Sequence, residues 1–122
     1  MKIHHHLKTP LVLTSALMFV LLLTTAYGCA GASEITSVPE SSLVVDVRTP
    51  GEFDSWHYPG AVNIPVQDLE KRIDELGDKK RAVIVYCRSG NRSTTAKKIL
   101  VDKGFSNVKN GGGLRDMKKF VK

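Results

Sequence analysis

The sequence has only two cysteines, Cys29 and Cys87, which stand far apart in the chain. They cannot form the Cys-x-x-Cys pair of a dithiol redox site or of many zinc sites. No acidic or histidine residue near Cys87 completes a metal-ligand spacing, because His57 and Cys87 alone do not make a site. We therefore expect no metal centre in this protein.

Acidic residues are missing from the first 33 positions, since all twelve aspartates and glutamates come later. A basic start is followed by an apolar run at 11–26 and then by the small residues GCAGAS. This order is typical of a secretory signal peptide, and the run is short for a membrane span of about 20 residues. We expect a signal peptide at 1–32 and a folded domain at 33–122. The three histidines at 4–6 fall in the removable segment and are assigned no role.

Two other outcomes remain open at the signal boundary. Gly28-Cys29 after an apolar run resembles a bacterial lipoprotein signal ending at residue 28, with a lipid attached to Cys29. An uncleaved signal would instead leave a membrane anchor. The protein is therefore expected to be periplasmic or exported, with lipid anchoring to the cell envelope as the alternative, and only these anchors would bring it to a membrane.

The folded domain has a moderate excess of positive charge. Sixteen of the eighteen lysines and arginines follow residue 33, so the balance against twelve acids is 16 − 12 = +4. These basic residues are scattered among acids without an aromatic stripe, which argues against a nucleic-acid partner. The balance suits a small anionic substrate.

Apolar patterning predicts strands that alternate with helices. The predicted strands lie at 43–48, 61–65, 82–86 and 105–109, and the predicted helices at 66–76 and 93–103. Pro50 and Gly51 are interpreted as a break in the chain, and the three glycines at 111–113 as a loop. The alternation predicts one α/β domain, with a small, mostly parallel sheet flanked by helices.

Cys87 stands where the most apolar strand ends, and five polar or small residues lead from it into a helix. A strand–loop–helix unit can point its backbone N–H groups inward to form an anion-binding nest, to which the helix N-terminus adds partial positive charge. Such a setting lowers the pKa of a thiol below the ~8.5 of a free cysteine. A buried, inert thiol is the alternative, but the two arginines of the loop, Arg88 and Arg92, favour a reactive one.

Four segments in order resemble the rhodanese family. They are DVRTPGEF at 46–53, HYPGAVNIP at 57–65, YCRSGNRS at 86–93 and the segment from Gly104-Phe105 to Gly113. The resemblance covers nearly all of 33–122 and is closest to small, single-domain periplasmic thiosulfate sulfurtransferases of the phage-shock type. It implies a single rhodanese domain that works without a cofactor.

The resemblance also implies roles for particular residues. Cys87 matches the catalytic nucleophile, which accepts a sulfur atom from a small anionic donor such as thiosulfate and passes it to a thiol or to cyanide. The expected substrate-binding residues are Arg88, Ser89, Gly90, Asn91, Arg92 and Ser93. Asp46, Arg48, Glu52 and His57 also match the family pattern. We interpret these four as structural, with a buried Arg48–Glu52 pair and His57 satisfying buried polar groups.

The length of the loop bears on which element is transferred. Related phosphatases place an arginine after a cysteine and five residues, and that position holds Ser93 here. Arg92 comes one residue earlier, and in the wider family this tighter loop is typical of sulfur carriers. A non-catalytic rhodanese-like binding module and a thiol redox protein are the alternatives. We expect a monomer, although the short ends of the domain could leave a sheet edge open for pairing.

Overall fold

The computed structural model describes residues 32–122, in which one sheet of four parallel strands forms the centre. The strands lie in the order β2-β1-β3-β4, and each neighbouring pair is parallel. They are β1 (Leu43–Asp46), β2 (Val62–Asn63), β3 (Val83–Tyr86) and β4 (Val108–Gly112). The helices are α1 (Pro50–Ser55), α2 (Asn91–Asp102) and α3 (Leu114–Lys118). The predicted α/β fold with a parallel sheet is confirmed.

Strand β3 is buried on both faces, as expected for a central strand covered from both sides. Its alternate residues Val83 and Val85 face one apolar cluster, which includes Ala96 and Leu100 of α2. Residues Ile84 and Tyr86 face a second cluster, whose other members are Val44, Met117, Ile35, Val38, Tyr58, Ala61 and Leu114. The chain before β1 and helix α3 therefore cover the face opposite α2.

The predicted helix at 66–76 was wrong. The segment forms two 3₁₀ turns, Val66–Asp68 and Ile73–Leu76, whose backbone bonds span three residues, as from Gly77 N–H to Asp74 O (3.2 Å). The apolar spacing did identify the inward side, since Leu69 and Leu76 are fully buried. Two short turns bury these side chains without the hydrogen-bond pattern of one continuous α-helix.

The segment that begins with Pro50 and Gly51 was expected to break the chain, but it forms helix α1. Thr49 caps this helix: the Glu52 N–H donates to Thr49 Oγ1 (3.3 Å), and the Thr49 N–H donates to Glu52 Oε2 (3.1 Å). This is a capping box, and proline is well tolerated at the first helical position because its missing N–H has no partner there anyway.

The glycines predicted to form a loop lie partly in the sheet, because β4 extends to Gly112. Gly111 is needed for close packing: a Cβ there would come within 2.8 Å of Met117 Sδ and 3.0 Å of Ile84 Cγ2. Helix α3 packs against the strand at this point. The predicted strand at 105–109 therefore starts and ends about three residues too early.

No helix within 32–122 has the length and apolar character needed to cross a membrane. The predicted signal peptide and Cys29 lie outside the described residues.

Candidate functional site

Cys87 follows β3 directly, at the carboxyl edge of the parallel sheet, where open α/β sheets form their sites. Its side chain is buried, with 1% of the residue exposed. The Cys87 N–H donates to the Gly112 carbonyl of β4 (3.1 Å), so the neighbouring strand fixes the start of the loop. It is the one free cysteine found within the described part of the chain.

The loop after Cys87 turns backbone N–H groups toward the sulfur. The Gly90 N–H donates to Cys87 Sγ at 3.0 Å. Gly90 has a φ of 98°, a left-handed conformation that side-chain-bearing residues adopt at a cost. The N–H groups of Ser89 and Ser93 also face the sulfur. Together they form the anion-binding nest that the sequence predicted.

Ser93 lies against the sulfur, at the position where a related phosphatase would have its arginine. The Cys87 thiol donates to Ser93 Oγ at 3.6 Å, and the serine is fully buried. The Ser93 hydroxyl is also 2.9 Å from the Gly90 carbonyl oxygen and 3.4 Å from that of Gly112. A small hydroxyl thus occupies the space beside the nucleophile.

These contacts decide the ionisation of the thiol. Burial acts to raise the pKa of Cys87 because it disfavours the charged form. The Ser93 hydroxyl and the N–H groups of Ser93, Ser89 and Gly90 act in the opposite direction and outweigh burial. The pKa of Cys87 therefore lies below its ordinary value, as expected for a nucleophilic cysteine.

Arg92 pairs with Glu52, a contact that the sequence did not predict. Its Nη1 is 2.7 Å from Glu52 Oε2 and its Nη2 is 2.9 Å from Glu52 Oε1, in a bidentate arrangement. The Glu52 hydrogen bond is the main cause that raises the pKa of Arg92, and Cys87 is a smaller one, so the guanidinium lies within range of the charge on the thiolate. Helix α1 is thereby joined to the cysteine loop.

The predicted Arg48–Glu52 pair was wrong. Arg48 is buried against Asp46 instead, with Nη2 2.6 Å from Oδ2 and Nε 2.9 Å from Oδ1 of that carboxylate. A further bond joins Arg48 Nη2 to the Trp56 carbonyl (2.6 Å). Because Arg48 is already paired within its own turn, Glu52 is available to Arg92.

Among the remaining predicted site residues, Ser89 presents its backbone N–H to the sulfur. Arg88, Ser89 and Asn91 are exposed, and Asn91 begins α2. The Arg88 carbonyl accepts the Leu114 N–H (3.1 Å), which ties the loop to the start of α3. His57 is half-buried at the end of α1, with Nδ1 2.9 Å from the Phe53 carbonyl oxygen. Of the six predicted substrate-binding residues, Ser89, Gly90, Arg92 and Ser93 influence the Cys87 thiol, and the binding roles of all six stay predictions.

Sequence reasoning missed the support that comes from β4. Asn110 is buried and its Oδ1 accepts the Gly112 N–H (2.8 Å), while its Nδ2 donates to Thr94 Oγ1 (3.0 Å). Gly112 in turn accepts the Cys87 N–H. An asparagine before glycines suggests a turn, so the sequence pointed away from this role.

Within 32–122 no group of three or more histidine, cysteine or acidic side chains could hold a metal ion.

A family model described as "Rhodanese-like domain" matches residues 32–118 of the chain. The chain belongs to the rhodanese-like family. The match spans most of the described domain, and it confirms the resemblance that four short segments indicated. The matched residues include all four strands of the sheet and the cysteine loop.

Several rhodanese-like proteins are similar to this chain over a single domain. The thiosulfate sulfurtransferase PspE of Escherichia coli (strain K12) is 42% identical over 74 residues, which are 60% of this chain and 71% of that protein. A sulfurtransferase of Allochromatium vinosum is 39% identical over 71 residues, which are 58% of this chain and 65% of that one. A solved structure titled "rhodanese with anions from E. coli" is 41% identical, with a TM-score of 0.60 over 62% of this chain and 89% of that chain.

Proposed function

We propose that this rhodanese-like protein is a sulfurtransferase that carries one sulfur atom at a time on Cys87. The observation that carries the proposal is the thiol itself, buried at the strand end with the Gly90 N–H 3.0 Å from Sγ and a pKa below its ordinary value. The names of the relatives, thiosulfate sulfurtransferase and sulfurtransferase, support the same reaction class.

The first half-reaction loads the enzyme from thiosulfate. The Cys87 thiolate attacks the outer sulfur of thiosulfate, and a new S–S bond forms at Sγ. The S–S bond of the donor breaks, and its electron pair leaves with sulfite. Total charge is conserved at three negatives, since thiolate and dianion become a persulfide anion and a sulfite dianion.

The loop then holds the persulfide. The negative charge moves outward by one sulfur atom, to the mouth of the nest formed by the N–H groups of the loop. N–H dipoles that are already oriented stabilise an anion without reorganising at the moment of reaction, which is the principle of an oxyanion hole. Arg88, which follows Cys87 directly and is exposed, adds a positive charge to this part of the surface.

The second half-reaction unloads the sulfur. A thiolate acceptor or cyanide attacks the outer sulfur. The S–S bond between Sγ and that sulfur breaks, and its electron pair returns to Sγ. The products are an acceptor persulfide or thiocyanate, together with the free Cys87 thiolate. The cycle is a double displacement in which the protein's own groups are the only catalytic groups.

The geometry favours sulfur over phosphate. Ser93 stands where a phosphatase loop has its arginine, and it is fully buried beside Cys87 Sγ. A tetrahedral phosphoryl group spreads its charge over three oxygens, and an arginine at this position can bind two of them. One sulfur atom needs only the N–H groups that already converge on Sγ.

The proposal is tested by the intact mass of the purified protein after treatment with thiosulfate. We expect a gain of one sulfur atom that disappears when cyanide is added, and no gain in Cys87→Ser. Absence of a gain in the unmodified protein would overturn the sulfurtransferase assignment and favour a binding module. A gain of mass that cyanide does not remove, together with disulfide exchange toward a test protein, would favour a thiol redox role.

We also propose that the protein is exported, with cleavage before Ser33 or lipidation at Cys29. The support is the sequence of the first 32 residues, which has the charge and apolar order of a signal. Mass analysis of the protein isolated from cells decides between the two forms. An N-terminus at Met1 would contradict both.

A further inference from the structure

We propose that Glu52 determines the charge selectivity of the sulfur-donor site, by neutralising Arg92 beside the nucleophile. The inference rests on the proposed sulfurtransferase function, which it deepens. It assigns to Glu52 a role in choosing between donors of different negative charge. Glu52 acts through Arg92 and is therefore a positioning and specificity-determining residue, with no covalent part in the reaction.

The carboxylate of Glu52 collects four donors from two elements. Arg92 contributes both terminal nitrogens at 2.7 and 2.9 Å, and Thr49 contributes its N–H and its hydroxyl, each at 3.1 Å from Oε2. The Glu52 and Arg92 side chains are only 27% and 34% exposed. This pair is held by the cap of α1, and it is more constrained than an ordinary surface ion pair.

Glu52 keeps its charge throughout the pH range in which the thiol reacts. The hydrogen bond from Arg92 is the largest cause of a lowered pKa, opposed by burial and assisted by Thr49, and the pKa of Glu52 falls to about 2. Arg92 therefore always has its counterion. A donor that approaches Cys87 meets an ion pair at this position and not a bare guanidinium.

The consequence depends on the charge of the donor. The energy of a donor in the field of Glu52 is proportional to the donor's own charge, so the repulsion on a dianion is twice that on a monoanion. Removal of this single negative charge should therefore favour thiosulfate over a donor with one negative charge. Arg92 keeps its own charge when Glu52 is replaced, so its attraction for the donor does not distinguish the variants.

The test compares the wild-type protein with Glu52→Gln on two donors, thiosulfate (two negative charges) and benzenethiosulfonate (one). Glutamine is isosteric with glutamate, and its carbonyl can still accept a hydrogen bond from Arg92. Because the interaction energy doubles with the donor's charge, a rise in kcat/KM of about threefold for the monoanion should become a rise of about tenfold for the dianion in low salt. High salt should reduce both increases.

Two further variants control for changes in structure. Glu75→Gln removes the carboxylate of a similar bidentate pair with Arg72, with distances of 2.7 and 2.8 Å, whose side chains are both exposed to solvent at the Ile73–Leu76 turn. We expect no change in donor preference there. Glu52→Asp keeps the charge, and it should keep the wild-type ratio between the two donors even if the domain is less stable.

Alkylation of Cys87 by neutral iodoacetamide is measured in the same variants, because it does not need sulfur transfer. Loss of the Glu52 charge should move the pH midpoint of alkylation to a lower value in Glu52→Gln and leave it unchanged in Glu75→Gln. If the midpoint moves and neither donor reacts in any variant, the sulfurtransferase assignment fails while the effect of Glu52 on the site stands.

Two results would overturn the selectivity role. One is an equal change for both donors in Glu52→Gln, which would mean that Glu52 only orients the loop. The other is a larger loss for thiosulfate than for the monoanion, which would mean that Arg92 leaves the site when its partner is removed.

Discussion

The Ser93 hydroxyl can donate its one hydrogen to either of two acceptors, the Gly90 carbonyl oxygen or an ionised Cys87 Sγ. In the neutral state the hydroxyl is 2.9 Å from the Gly90 carbonyl oxygen, and the Cys87 thiol donates to Ser93 Oγ. When the thiol ionises it can no longer donate, and a rotation of the hydroxyl would bring its hydrogen toward Sγ at about the same distance. Ser93 can therefore follow the protonation state of the nucleophile.

Removal of this hydroxyl should weaken the nucleophile. In Ser93→Ala the pKa of Cys87 should rise, because the largest lowering contribution comes from Ser93. A hydrogen bond to a charged group contributes roughly 1.5 kcal/mol or more, and part of it is already committed to Gly90. We expect iodoacetamide alkylation near neutral pH to slow by about threefold to tenfold.

Ser106→Ala is the matched control, because Ser106 is exposed and its hydroxyl is 3.4 Å from the Lys79 carbonyl oxygen, away from the cysteine loop. It should alkylate at the wild-type rate. An unchanged rate in Ser93→Ala would show that backbone N–H groups alone lower the pKa of Cys87.

At the scale of single residues, the sequence revealed the nucleophile and its loop but not their partners. Cys87 and the residues up to Ser93 are contiguous, so their positions follow from one strand–loop–helix unit. Glu52 and Arg92 are forty positions apart. Arg48 stands closer to Glu52 in sequence, and nothing in the sequence reveals that Asp46 already binds Arg48.

At the scale of elements, periodicity located what is buried better than it located the type of element. The strands β1 and β3 are apolar runs and were predicted within two residues. Helix α1 was missed, although Thr49-Pro50-x-Glu52 is the sequence signature of a capping box with proline at the first position. The end of β4 could not be predicted, because glycines indicate turns unless a neighbour such as Met117 needs their space.

The cap of α1 connects local helix stability to the site. Thr49→Ala removes the hydroxyl that accepts the Glu52 N–H, and such caps contribute about 1 kcal/mol. We expect the free energy of unfolding in urea to fall by about 1 kcal/mol. Thr95→Ala, at an exposed position within α2, is the comparison, since alanine there is expected to be neutral or slightly stabilising.

A loss in Thr49→Ala no larger than that in Thr95→Ala would mean that the Glu52–Arg92 pair alone holds α1 in place. Because Thr49 binds the same carboxylate as Arg92, the double variant with Glu52→Gln should lose less than the sum of the single variants. Additive losses would mean that the cap and the ion pair act independently.

At the scale of the whole molecule, the chain before β1 covers part of a sheet edge, where the sequence suggested an edge open for pairing. β4 is an edge strand, and Glu34 covers part of it: the Glu34 N–H donates to the Asn110 carbonyl (2.8 Å), and the Glu34 carboxylate accepts the Asn110 N–H (3.0 Å). Lys97 of α2 binds the same carboxylate at 2.6 Å. Covering the free groups of an edge strand opposes pairing with a second copy at that edge, and the monomer stays a prediction.

This closure should make the stability of the molecule depend on pH in a defined range. The hydrogen bond from Lys97 is the largest cause that lowers the pKa of Glu34 from its ordinary value of 4.5, and the Asn110 N–H comes next. A group whose pKa is lower in the folded state stabilises it above the unfolded pKa, and the contribution is lost as pH falls through the folded pKa.

Glu34→Gln should therefore be less stable than wild type at neutral pH, by about 0.5–1 kcal/mol because the site is partly exposed. Urea unfolding in steps from neutral pH to below about pH 4 should show this difference shrinking toward zero. No difference at any pH would mean that Glu34 acts through its backbone N–H alone, and a constant non-zero difference would mean that the charge of its side chain is not what stabilises the fold.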